Sequence, residues 1–149
     1  MNSLFDLSMH FRFAGVVLLA LAAVHFAFPR WFNWKEELAR LSLLNRQIFV
    51  VHTYFIMLTV SLFGLLSLVM TEDLLSGSRL ARAVLLGMAV FWGFRLYCQF
   101  CIYSPELWRG RRLNTLAHLG AALLWFYLTV ICAIALAAAP IGISNTARG

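Results

Sequence analysis

Four long apolar runs dominate the chain, and most of its charge falls in the short stretches between them. The first run extends from about Phe11 to Phe28, the second from about Gln47 to Met70, the third from about Leu80 to Tyr103 and the fourth from about Leu113 to Ala139. A hydrocarbon core about 30 Å thick is crossed by roughly 20 apolar residues of helix, and the runs are of that order. Inside lipid each segment must satisfy its own backbone polar groups. The β-branched and aromatic second run, ambiguous in water, is therefore read as helix like the others. The predicted fold is all-α: an integral membrane four-helix bundle forming a single transmembrane domain over residues 1–149.

Local signals set the expected ends. Pro29 stops the first span, since proline donates no backbone hydrogen bond and disfavours helix at the residue before it. Asn45 is the expected cap of the second span. Pro105 closes the third, and Pro140 ends the fourth, leaving 141–149 as a frayed tail. In the connection between the first two spans, Trp31, Trp34, Leu38 and Leu41 recur at three- and four-residue intervals, while Lys35, Glu36, Glu37 and Arg40 fill the other side. This predicts a short amphipathic helix over about 31–44, either lying in the membrane interface or packed on the bundle. Ala83 with Gly87, Ala23 with Ala27, and the run Gly120, Ala121, Ala122 are the expected points of close helix approach.

Composition agrees with the pattern. With 62% apolar and 12% charged residues, the chain is too hydrophobic for an ordinary soluble domain. Its formal charge of +6 is dispersed through loops, without the run of basic and aromatic residues that nucleic-acid binding calls for. The lipid bilayer is the expected partner, with a larger membrane complex or a second copy as further ones. Arg30, Lys35, Arg40, Arg46, Arg109, Arg111 and Arg112 lie in the first and third connections, against Arg12, Arg79, Arg82 and Arg148 on the other side. That bias places the first and third loops in the cytoplasm and both termini outside, in a bacterial-type inner membrane. The first span is long and no A-x-A pattern follows it, so it reads as a retained helix and not as a cleaved signal.

The chemistry concentrates in one layer. His25 lies near the end of the first span, and His52 and His118 near the starts of the second and fourth. Counted from those ends, each imidazole sits roughly 8 Å below the same face. Arg95 and Gln99, one turn apart, bring the third span into the layer; Trp92 lies one turn from Arg95, and Asn114 one turn from His118. No span carries Asp or Glu to neutralise Arg95, so its expected partners are neutral acceptors, carbonyls, water or the anionic group of a ligand.

Neutral histidine is the commonest metal ligand, and two histidines on facing helices can hold haem b axially while arginines at the interface meet its propionates. His25, His52 and His118 with a water would alternatively bind zinc or copper. Imidazole, Gln99 and Arg95 would hydrogen-bond a quinone carbonyl. The leading expectation is a redox or ligand site for haem b or a quinone-like molecule, formed by His25, His52, Arg95, Gln99 and His118 with Trp92 and Asn114. Two other classes stand beside it: a non-catalytic accessory or assembly subunit of a larger membrane complex, and a small anion-binding transporter centred on Arg95. Cys98 and Cys101 form a C-x-x-C element, but a second pair on an extracytoplasmic loop is missing. Burial is the expected role of these two and of Cys132.

Overall fold

A computed structural model describes residues 2–138, with side chains from Asp6 onward, and all regular structure among the described residues is helical. We number the four long helices α1 (Asn2–Val24), α2 (Leu43–Val69), α3 (Arg79–Cys101) and α4 (Arg112–Ala138). All four are long and apolar enough to cross a membrane, the first when followed through its continuation to Trp31. Pro140 and the tail at 141–149 lie outside the described residues. The chain divides into two compact units, one of residues 9–71 and one of residues 2–8 with 72–138.

The unit of residues 9–71 is a hairpin of α1 and α2 held together where two glycines meet. A Cβ on Gly15 would lie 2.8 Å from the Gly64 carbonyl oxygen and 2.9 Å from Leu68 Cβ; one on Gly64 would lie 3.1 Å from the Gly15 oxygen. Only hydrogen fits there, which lets the two backbones touch. The expected approaches at Gly87 and Gly120 do not occur, since nothing described lies within 4 Å of a Cβ built on either.

Several predicted boundaries move. α1 begins at Asn2 and not near Phe11, as nothing from 2 to 10 is a glycine or proline that would break it. At its other end α1 stops at Val24, but the helical path continues past Pro29 to Trp31. Because Pro29 has no N–H to give the His25 carbonyl, Phe28 supplies one instead, and His25–Ala27 tightens into a 3-10 turn. Pro29 then sits in the first turn of a further helical segment, Phe28–Trp31, where its missing N–H is no loss. The cap of α2 is Ser42 and not Asn45: the Ser42 hydroxyl accepts from the Asn45 N–H at 3.4 Å, putting Asn45 inside the helix. Ser78 caps α3 in the same way through the Ala81 N–H at 3.1 Å. α3 ends at Cys101, and Pro105 opens a separate turn, Pro105–Leu107, capped by Ser104.

The predicted amphipathic helix over 31–44 forms only in pieces. Asn33 adopts a left-handed conformation, with φ 48°, that breaks the path. One helical turn, Trp34–Glu37, and a 3-10 turn, Leu38–Arg40, come next before the chain extends at Leu41. Trp34 packs edge-on against Phe49 of α2, ring centroids 4.9 Å apart, and Leu38 is half-buried. Trp31 and Leu41, expected on the same apolar side, are exposed because the break at Asn33 and the extended Leu41 take them off it.

In the other unit α3 and α4 pack against each other. Ala81, Leu85, Met88, Trp92 and Gln99 form one buried stripe of α3; His118, Ala122, Trp125, Leu128, Ile131, Cys132 and Ala135 form that of α4. The three- and four-residue spacing of both comes from 3.6 residues per turn. The pairs Gln99 with His118, Trp92 with Trp125, and Arg82 with the Leu136 carbonyl put the two helices in one antiparallel register.

Candidate functional site

Each unit carries one polar constellation. Between α3 and α4, Gln99 lies at the centre of a buried chain of hydrogen bonds. Trp125 Nε1 donates to Gln99 Oε1 at 3.3 Å, and Gln99 Nε2 lies 2.8 Å from His118 Nδ1. An indole nitrogen can only donate, so the amide oxygen is fixed toward Trp125 and the amide NH2 toward His118. His118 Nδ1 must then accept, which puts the imidazole proton on Nε2. Trp108 stacks on the same imidazole, centroids 4.5 Å apart and planes within 15°, and Phe100 meets it edge-on.

This geometry is unfavourable for metal binding at His118. The Nδ1 lone pair is engaged by Gln99 and Nε2 carries a proton, so no lone pair is left for a cation. Among the described residues no group of three or more His, Cys, Asp or Glu is placed to hold a metal ion.

Arg95 meets neutral partners, as its surroundings require. Its guanidinium lies 5.3 Å from the Trp125 ring centroid and 5.6 Å from that of Tyr103, and Nη1 donates to the Tyr103 hydroxyl at 3.2 Å. Two aromatic faces and a phenol oxygen thus take the place of the expected carbonyl, water or anion. Trp92, expected beside Arg95, instead stacks on Trp125 at 5.3 Å with planes 5° apart. Trp125, two turns beyond His118 on the same face and not among the expected site residues, therefore joins Trp92, Arg95 and Gln99, and Gln99 in turn joins His118. Asn114 turns elsewhere: its Nδ2 donates to the Leu107 carbonyl at 2.9 Å and holds the connection to the start of α4.

The second constellation lies in the unit of residues 9–71, where a cavity of about 450 Å³ opens beside the 3-10 turn that follows α1. That volume is in the range of small-molecule sites. His25, Phe26 and Pro29 line it from the first span, Trp34, Lys35 and Leu38 from the connection, and Arg46, Val50, Thr53, Tyr54 and Met57 from one stripe of α2. Aromatic and aliphatic walls thus meet two cationic side chains. No carboxylate among the described residues is ion-paired with Lys35 or Arg46; the nearby Glu37 lies 4.0 Å from Arg40. His25 Nδ1 lies 2.8 Å from the Leu21 carbonyl. A carbonyl only accepts, so Nδ1 donates and the neutral ring keeps its Nε2 lone pair.

His52 has the same internal bond, Nδ1 to the Ile48 carbonyl at 2.8 Å, but it is exposed and does not line the cavity. Lys35, Tyr54 and Met57 were not among the site residues expected from the sequence. The i, i+4, i+7, i+8, i+11 series from Arg46 through Val50, Thr53 and Tyr54 to Met57 is the signal that carries the α2 lining. Cys98 is half-buried, Cys101 exposed and Cys132 buried, and all three are free thiols. No family model matches the chain, and no curated protein or solved structure is found to resemble it.

Proposed function

We propose that this is a small integral membrane protein of the inner-membrane type, with both termini outside, that holds an apolar ring ligand bearing anionic groups in the cavity beside the 3-10 turn that follows α1. Haem b is the ligand whose chemistry uses every feature of that cavity. The observation that carries the reading is the convergence of His25, keeping an Nε2 lone pair, with Lys35 and Arg46 on one aromatic-walled space. An imidazole suits the iron, two cations suit propionates at the interface, and Phe26, Trp34 and Tyr54 suit the porphyrin faces. A quinone would use the same walls but would leave Lys35 and Arg46 without a counter-charge. Arg46 and Lys35 belong to the basic connection assigned to the cytoplasmic side, so the cavity would open toward that face.

A second reading is an accessory subunit of a larger membrane complex. It is favoured by α2, of which only 11% of the most apolar window is buried and which exposes His52 on its surface. An ionisable side chain in a span usually faces protein.

One preparation separates the two. The full chain is purified in mild detergent from cells supplied with a haem precursor, and its optical spectrum is recorded before and after titration with haemin. A Soret band at one haem per chain, lost in His25→Ala, is the expected result. A colourless protein that takes up no haemin and travels with larger subunits overturns the haem reading in favour of the accessory one.

A further inference from the structure

Resting on the haem reading of the same cavity, we infer that the sixth ligand to the iron is the thioether of Met57, so that the axial pair is His25 with Met57 and not two histidines. Helix register limits the choice. Position 15 of α1 faces 64 to 68 of α2, because the Cβ built on Gly15 meets Gly64 and Leu68. His25 lies ten residues further along the first span (25 − 15), and antiparallel helices rise equally, at about 1.5 Å per residue. Ten residues back along α2 from 64–68 is 54–58. Met57 falls inside that interval, and His52 lies outside it.

Burial and lining point to the same residue. Met57 lines the cavity and is only 9% exposed. His52 is exposed and absent from the lining. Of the α2 residues lining the cavity, Met57 alone has a side chain that ordinarily ligates a haem iron opposite histidine. Arg46, at the other end of the lining stripe, lies eleven residues away (57 − 46), or about 16 Å along the helix. That exceeds the span from a haem iron to a cation on its propionate, so the Arg46 side chain would have to run back along the helix to meet one.

The ligand pair has consequences that haem occupancy alone does not have. A thioether opposite imidazole gives a low-spin ferric haem with a weak far-red sulfur-to-iron charge-transfer band, and it raises the reduction potential above that of a bis-histidine haem. The test compares the full-length wild type with Met57→Leu, Met57→His and His52→Ala, each loaded with haem in detergent. Leucine nearly conserves the volume of methionine, so the hairpin stays packed.

The expected result is that Met57→Leu keeps the haem, loses the far-red band and gains carbon monoxide binding in the ferrous state. Met57→His should stay low-spin with a lowered potential, and His52→Ala should match the wild type. Haem bound in the wild type with a spectrum indifferent to Met57→Leu, or a low-spin state lost in His52→Ala, overturns the axial assignment and leaves the haem reading intact. Failure of the wild type to bind haem overturns both.

Discussion

Gln99 and His118 are joined by a 2.8 Å hydrogen bond whose direction is imposed from the far side of the amide, by the indole of Trp125. The tautomer of a buried histidine is thereby set by a residue it does not touch through that bond. In imidazole ¹⁵N NMR of the detergent-solubilised protein, His118 is expected with Nε2 protonated. Gln99→Glu substitutes an acceptor-only carboxylate at neutral pH, so the His118 proton should move to Nδ1. A wild-type signal with Nδ1 protonated would contradict the hydrogen-bond chain.

The same chain has a cost when broken. Gln99→Leu leaves the His118 nitrogen and the Trp125 N–H without their shared partner, each worth about 1–3 kcal/mol when buried and unpaired. Thermal unfolding monitored by circular dichroism should shift down by several degrees, and the shift should be larger than that for an exposed polar residue such as Asn45→Ala.

At the α1–α2 crossing the tolerance for a methyl group is small. Gly15→Ala sets a Cβ against the Gly64 carbonyl and Leu68, and overpacking of this kind costs about 1–3 kcal/mol. Gly87→Ala has open space and gains helix propensity, so its stability should hold or rise slightly. Equal melting temperatures for the two variants would argue against backbone contact at the glycines.

Arg95 is held by ring faces, which makes charge alone an incomplete substitute. Arg95→Lys retains the cation but loses the planar group over Trp125 and Tyr103, and a loss of about 0.5–2 kcal/mol is expected. Trp125→Phe removes the indole donor to Gln99 as well, so a double-mutant cycle between positions 95 and 125 should give a coupling of the same order. Additive effects would mean that the guanidinium does not use that ring.

Binding at the cavity of the first hairpin should depend on its two cations. Lys35→Gln and Arg46→Gln should each weaken haemin binding by about tenfold, the worth of one charge-assisted hydrogen bond. Raised salt should diminish the difference between wild type and variants. A titration unchanged by both substitutions would place the propionates elsewhere.

The long helices were legible because apolar length is a strong signal and lipid admits few other backbones. Their ends were less so. Asn45 and Ser42 are both good caps, and only the backbone path shows that Ser42 stands before the first turn. The depth of the site residues depends on those ends. Equal depth for His25, His52 and His118 holds only where the helix ends are level, and α2 starts at Leu43 while the first span continues through Pro29 to Trp31. His52 is then nine residues from its helix start and His118 six, which along their own helices is about 13 Å and 9 Å. Direction was harder still to foresee. The same residue type points its lone pair outward in His25, whose Nδ1 donates to its own helix, and into a neighbour in His118, whose Nδ1 accepts from Gln99.

The tightened turn at His25–Ala27 acts as a rotation built into the backbone. A 3-10 residue advances about 120° around the axis against about 100° in an α-helix, so three of them turn the next segment by about 60°. Phe28, Pro29 and Trp31 therefore face directions they would not reach on an unbroken helix. A single ring-closed residue without an N–H accordingly decides which way the end of the first span looks, and so the shape of the hollow that it shares with α2.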